Sequence, residues 1–400
     1  MSNIVIIIPT YWTWGSERAD GPIEVVYDHP TPLDGDSTLP RLLKSLAALG
    51  DTSPEFSVLV LTAATHPELE KAAADRITGL IAPFRAHYPI AQATEADAAL
   101  IRQRYPGLAD HVQMRGYAGV RNLQLLLPRA LGAKVIVALD DDEVVAPDYL
   151  QTALRFVGRE HGGERVLGLA GFYLDADGGV LLSECPRTGN IFLDKSAIMN
   201  EGTRALQAAP DRLVPTPVAF GGNMVFHRDL FTRVGFDPGI TRGEDIDYLI
   251  NARLMSFKFW FDKQLVITHM PPDAPDSAHS VYTWSKLRQD VLRFVYEREK
   301  LRLTGTDPAQ FDPYPGRFLR DDVEEQALAA LQAEATPEAT ARFGSPQEIV
   351  AAAERHARAA ALRYFEFATR WPRLMEAIGQ NTELRHWLLA RLDQTRVAYL

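Results

Sequence analysis

Apolar residues in the first half of the chain fall into short unbroken runs separated by helical patterns. "NIVIIIP" (Asn3–Pro9) is almost wholly apolar and rich in β-branched side chains, the pattern of a strand buried on both faces, and Pro9 is expected to end it. "FSVLVLTAA" (Phe56–Ala64) and "KVIVALD" (Lys134–Asp140) predict two more such strands. Between them the period changes. "STLPRLLKSLAAL" puts Leu39, Leu42, Leu43 and Leu46 on one helical face, and "HPELEKAAADRITGLIAPF" predicts a second helix. The region to about His111 reads as more helix and loop. "YAGVRNLQLLLPRALGA" predicts a helix with Pro128 late in it, and "APDYLQTALRFV" a helix after the third strand. Strand and helix in alternation predict an α/β domain with a largely parallel sheet and right-handed crossovers. Ligands of such sheets bind beyond the carboxyl ends of the strands. Pro9-Thr10-Tyr11, Thr62-Ala63 and Asp140–Asp142 fall at those ends and should converge on one crevice.

The middle of the chain is less regular. "VLGLAGFYLD" and "VLLSECP" predict strands, and "PVAFGGNMVFHRDLFTRVGF" a glycine-rich turn, a short strand and a helix. "GEDIDYLINARLMSF" predicts a helix, and "KFWFDKQLVITHM" a strand ending at His269. The pattern changes near Pro271 to Ser277. Beyond it the chain is helical, over about 280–301, 321–335, 345–370 and 381–396, and Ser345-Pro346-Gln347-Glu348 forms a capping box. Residues 1–275 therefore form one unit and 276–400 a helical region.

Length and composition narrow the choices. With 400 residues, 46% hydrophobic, the chain can bury a sizeable core. A net charge of −10 argues against coating nucleic acid or anionic lipid, so no nucleic-acid partner is expected. The single cysteine, Cys185, excludes an internal disulfide and fits a reducing compartment. The N-terminal apolar run, Ile4–Ile8, is too short for a signal peptide, and no run approaches the roughly 20 residues of a spanning helix. A cytoplasmic protein is expected.

The candidate chemistry lies where the third strand stops. In "ALDDDEVV" four carboxylates, Asp140 to Glu143, crowd the mouth of a buried strand with no basic residue beside them. Such crowding is costly unless a cation neutralises it. Asp140 and Asp142 can converge on one point, and hard oxygen ligands suit Mg2+ or Mn2+. The alternative is a solvated acidic loop that caps the next helix. In "GITRGEDIDYL", Glu244, Asp245 and Asp247 stand at a predicted helix start. A helix N-terminus favours carboxylates by itself; the functional alternative is a general base for an acceptor hydroxyl. His269, at the end of its strand, is either structural or a metal ligand beside the aspartates.

These pieces, in this order, resemble the glycosyltransferases of the GT-A fold, close to the large family 2 group. The likeness lies in "IVIIIPTY", "GYAGVRNLQLLLPRALGAKVIVALDDDEVVAPDYL", "GGNMVFHRDLFTRVGFDPGITRGEDIDYLINARL" and "LVITHM", and covers the first strand and roughly residues 115–270. It implies a Rossmann-like, mostly parallel central sheet with a C-terminal all-helical extension. It implies a UDP- or GDP-sugar donor and a sugar or other hydroxyl acceptor. Pro9, Thr10 and Tyr11 would then border the nucleotide, and Arg121 and Asn122 would contact it or its phosphates. Asp140, with Asp141 beside it, would reach the ribose or the metal. Asp142 would bind the metal that bridges the diphosphate, and His269 would complete the site. Gly221, Gly222 and Asn223 would border donor sugar and acceptor. In inverting members the base is the Asp of the Glu244-Asp245 pair.

The sequence departs from that pattern in three places. The second strand ends "VLTAAT", without the acidic residues that hold a base. The segment Tyr11 to Ser37 is long for a turn, and its Trp12, Trp14 and Tyr27 either stack on a sugar or pack in the ordinary way. The C-terminal region exceeds a minimal transferase. Its stripe of Val281, Trp284, Leu287, Val291 and Phe294, with Arg and Lys opposite, reads as core, and the region is free to pack on the catalytic unit, shape the acceptor site or form a homodimer. Such a tail also resembles retaining synthases acting on glycerate or phosphoglycerate, in which Asp245 would not be the base. A sugar nucleotidyltransferase fits less well, because "PTYWTWGSERADG" lacks the expected glycine-rich basic loop. A sugar- or nucleotide-binding scaffold without turnover is the non-enzyme alternative.

Overall fold

The structure, a computed structural model, describes residues 3–49, 53–271 and 279–393, with the side chains of 279–283 outside that description. The N-terminal strand, β1 (Ile4–Thr13), pairs with the short β2 (Thr31–Pro32) and with β3 (Ser57–Ala64), beyond which lies β4 (Ile90–Ala93). Further along come β5 (Val135–Ala138), β6 (Glu143–Val145), the outlying ribbon β7 (Glu160–His161) and β8 (Glu164–Arg165), then β9 (Gly168–Leu174), β10 (Leu213–Pro215), β11 (Met224–His227) and β12 (Trp260–His269). The sheet order is β10-β12-β9-β11-β5-β1-β3-β4, with β2 on β1 and β6 on β12. β5, β1, β3 and β4 are mutually parallel, as are β9 and β12, while β11 runs antiparallel between β5 and β9. The mostly parallel α/β sheet expected from the sequence is thus present.

β1 alternates between two cores. Val5 and Ile7 join one cluster, and Ile4, Ile6 and Ile8 the other, so both faces are buried and the run is continuously apolar. It does not stop at Pro9. β5 leaves β1 after Ile7, and the carbonyl of Thr13, six residues further on, accepts from Leu33 beside β2. The proline sits where the odd-numbered backbone has no strand to bond, so its missing N–H costs the ladder nothing. Three further readings are corrected. "VLLSECP" forms no strand and is largely exposed; the helix after the third strand is short; and β4 falls within the stretch expected to be helix and loop.

Helices cover both faces. α1 (Leu39–Ala47) and α2 (Glu70–Ile81) pack on one. On the other lie α3 (Glu95–Arg104) and α4 (Tyr117–Leu131), while the short α5 (Tyr149–Ala153) joins the first side. α6 (Lys195–Ala208), which the sequence reading missed, is followed by α7 (Arg228–Phe231) and α8 (Glu244–Leu254). The C-terminal helices are α9 (His279–Thr304), α10 (Val323–Ala333), α11 (Pro337–Phe343), α12 (Pro346–Gln380) and α13 (Thr382–Asp393). They extend the core on the α4 side, which buries α4 almost completely. Trp284, Leu287, Val291 and Phe294 are all buried within the chain; Val281 lies outside the described side chains, as does the expected boundary near 275. α12 runs ten residues past the predicted end and through Pro372. Trp371 donates to the Phe231 carbonyl at 2.9 Å and Arg129 to the Met375 carbonyl at 3.1 Å, and this packing outweighs the roughly 3 kcal/mol an interior proline costs. Among the described residues no helix is long and apolar enough to cross a membrane.

Candidate active site

A cleft of about 340 Å³ opens beyond the carboxyl ends of β1, β5 and β12. Tyr11, Arg121, Asp140, Asp141, Asp142, Gly221, Glu244, Asp245 and His269 line it, so most of the residues singled out in the sequence meet there. The β6–β12 pairing explains one part of this. It sets Glu143 opposite His269 in antiparallel register, and the Met270 N–H donates to the Asp142 carbonyl at 2.8 Å. As a result His269 Nε2 lies 3.2 Å from Asp142 Oδ2, across 127 residues of sequence. Burial opposes a charge on that ring, but the hydrogen bond and charge of Asp142 outweigh it and lift the His269 pKa.

Asp140 faces the other way. Arg121, from α4, lies 2.9 Å from Asp140 Oδ1 and donates through Nε to Glu244 Oε1 at 3.1 Å. One buried guanidinium thus joins a strand end to the start of α8. Burial dominates the titration of both partners: it raises Asp140 despite Arg121, and pushes Glu244 up to about 7. Asp141 and Glu143 are pushed well above the carboxylate range by burial and by their neighbouring aspartates. Among the described residues no three His, Cys, Asp or Glu side chains are already arranged around a metal position. Asp142 and His269 fit a divalent cation as donors, and Asp140 lies in the same cleft, turned onto Arg121.

α8 begins where Gly243 takes a left-handed conformation, φ 75°, and this turn brings Glu244 and Asp245 to the cleft. Asp245 Oδ1 accepts from the Ile246 N–H at 2.8 Å, and the carboxylate has no ion-pair partner among the described residues. Asp247 points into the core instead, where Lys300 contacts it and lies 2.9 Å from Asp237. Gly221 borders Arg121 and Asp245; a Cβ there would lie 3.0 Å from Arg121 Nη2.

Other expected site residues are not on the cleft wall. Asn122 exchanges two hydrogen bonds with the Phe236 backbone, at 2.8 and 2.9 Å, because one helical step turns it away from Arg121. Asn223 donates to Phe172 and Leu265 carbonyls, both at 3.1 Å, and accepts from Tyr149. Thr10 donates to the Leu61 carbonyl at 3.0 Å, Pro9 lies within the strand, and Thr62 bonds to Gln92. Gly222 is buried beneath the floor, where a Cβ would overlap Glu143 and Tyr173. Trp12, Trp14 and Tyr27 are packed rather than open to a sugar. The long N-terminal loop reaches the cleft through Asp28 and His29.

Residues the sequence reading passed over complete the wall: Tyr117 and Tyr173, and the cations Lys195, Arg242 and Arg293. Arg293 was visible only as part of the basic face of the first C-terminal helix.

No family model matches the chain, and no curated protein matches it. Solved structures with a similar chain course include mannosyltransferase PcManGT from Pyrobaculum calidifontis in complex with GDP-Man and Mn2+, at 15% identity and a TM-score of 0.42, covering 100% of this chain and 88% of that one. S. aureus TarS 1–349 aligns at 14% identity and a TM-score of 0.39, over 95% of this chain and 92% of its own. Its complex with UDP gives 15% identity and the same TM-score of 0.39.

Proposed function

We propose that the chain is a glycosyltransferase of the hexosyltransferase type. It moves a sugar from a UDP- or GDP-linked donor to a hydroxyl acceptor with inversion, using Mg2+ or Mn2+ held by Asp142, His269 and Asp140. The observation that supports this best is the 3.2 Å approach of His269 to Asp142 in the same cleft as Asp245. When bound, the cation supplies Lewis-acid stabilisation of the charge that develops on the departing diphosphate.

The chain's own residues have separable tasks. Asp245 takes the proton of the acceptor hydroxyl as that oxygen bonds to the anomeric carbon and the bond to the diphosphate breaks. Glu244 is committed to Arg121, so it positions rather than abstracts. Arg121 fixes Asp140 against the start of α8 and thereby sets the distance between the acidic strand end and the base. Gly221 lets a sugar ring approach the backbone.

The test is incubation with a panel of UDP-, GDP- and dTDP-sugars plus Mn2+, reading released nucleotide. Release of nucleoside diphosphate supports the reading. Pyrophosphate would point to nucleotidyl transfer instead, and no cleavage of any donor would count against transferase activity. NMR of the product's anomeric configuration tests inversion.

A further inference from the structure

β9 and β12 run parallel into the cleft, with Tyr173 in register with Ile267. Side chains two residues apart in a strand share a face. His269 therefore stands on the Ile267 face, next to the Tyr173 ring, and the two ring centres lie 5.4 Å apart with their planes tilted by 39°. The same tyrosine ring meets Phe220 at 5.1 Å and 32°. Tyr173, Phe220 and His269 all line the cleft.

The other end of Tyr173 serves a different part of the cleft. Its hydroxyl accepts from the Gly222 N–H. Gly222 is buried and follows Gly221, where a Cβ would lie 3.6 Å from the Cβ of Asp245. The hydroxyl also sits among the oxygens of the acidic strand end. A Cβ on Gly222 would overlap both Tyr173 Oη and Glu143 Oε1 and would lie 2.8 Å from Asp140 Oδ2. One side chain thus touches the histidine that approaches Asp142 and the glycine turn that faces Asp245. Filling the floor of the cleft would need only the ring. The hydroxyl adds a partner for a buried backbone N–H that is otherwise costly to leave unpaired.

We propose that Tyr173 is a positioning residue for glycosyl transfer: its ring fixes the His269 imidazole towards the cation, and its hydroxyl fixes the Gly221-Gly222 turn beside the transferred sugar. This rests on the glycosyl-transfer reading of the same cleft and adds a residue to it. Tyr173 acts through His269 and Gly222, not on the reacting atoms. Partners that orient a metal-bound histidine are worth about 10- to 100-fold in metal affinity. A displacement of about 1 Å at the reacting atoms costs about 100-fold in rate.

Two variants of the full chain separate the two contacts. Tyr173→Phe removes the hydroxyl and keeps the ring, whereas Tyr173→Leu removes both. Mn2+ affinity in the presence of UDP or GDP, read from the EPR signal of free Mn2+, should stay within about twofold of wild type in Tyr173→Phe and weaken about tenfold or more in Tyr173→Leu. With a donor that the wild type cleaves, Tyr173→Phe should lose about tenfold or more in kcat at little change in donor KM. Unliganded melting temperatures check folding, and Tyr173→Met carries the ring measurement if the leucine variant does not fold. Wild-type kcat in Tyr173→Phe overturns the proposal. So does Mn2+ affinity that falls equally in both variants or in neither; lowered melting temperatures alone would leave Tyr173 a packing residue. A transferase in which kcat and Mn2+ affinity ignore Tyr173 counts against this inference alone. A wild type that cleaves no donor counts against the transferase reading, and the difference in Mn2+ affinity between the variants then decides whether Tyr173 orients His269.

Discussion

Arg121→Met tests how the cleft floor is held together. Methionine is of similar length and removes only the guanidinium that links Asp140, at 2.9 Å, to Glu244, at 3.1 Å. All of the linked groups are buried or half-buried, and the Arg121 side chain is only 4% exposed. Breaking a buried pair while leaving its partner charged costs about 3–5 kcal/mol. The cost depends on pH in a defined sense. Folded Glu244 holds its proton to about pH 7, against an ordinary carboxyl value of 4.5. The folded chain therefore carries the extra proton between those values, and wild-type stability falls as pH rises from about 4.5 to 7. Without Arg121 the folded pKa moves higher still, so the fall continues above pH 7, by about 1.4 kcal/mol for each further unit. The Glu244 contribution to the two stability curves should be the same at pH 5.5, where Glu244 is largely neutral with or without its partner, and differ by about 2 kcal/mol at pH 8.5. Urea denaturation followed by tryptophan fluorescence at pH 5.5, 7 and 8.5 measures this. A constant offset at all three values, or no loss at pH 8.5, would refute the assignment of Arg121 as the charge that holds Glu244 ionised.

Other outcomes follow from the same geometry. Asp142→Ala and His269→Ala should each abolish the Mn2+-dependent part of the thermal shift produced by UDP or GDP, and wild-type Mn2+ affinity should be weaker at pH 6 than at pH 8, because the proton that Asp142 helps His269 retain must leave first; titration calorimetry reads both. Asp245→Asn should lower transfer by about 10²–10⁴-fold, with kcat carrying the loss, as steady-state kinetics would report. Gly243→Ala should cost at least about 1 kcal/mol in urea denaturation, since φ is 75° and the added Cβ overlaps the Arg293 guanidinium.

Much of this was legible in the sequence for a local reason. Unbroken β-branched runs mark strands buried on both faces, and the carboxylates at 140–142 and 244–245 stand next to elements whose ends the pattern already locates. His269 could be placed at a strand end, though its approach to Asp142 depends on the β6–β12 register, which no local pattern encodes. Asn122 and Asn223 misled because a polar side chain beside a motif residue looks the same whether it faces a ligand or clamps backbone. The cations of the cleft wall were not legible at all. Lys195, Arg242 and Arg293 stand in three separate segments, each an ordinary surface cation until the fold gathers them. Pro9 and Pro372 show the same limit from the other side, as breakers that the tertiary context tolerates.

α9 has one end of its influence in the cleft, through Asp290 and Arg293, and the other in the core, through Lys300. Trimming the chain to a minimal sheet-and-helix unit would consequently strip away part of the cleft wall along with its scaffold. It also separates two kinds of inheritance. On the proposed reading, changes at the strand ends act on the groups assigned to the chemistry, whereas changes along one side of this single long helix alter the cleft wall through Arg293 and leave those groups in place.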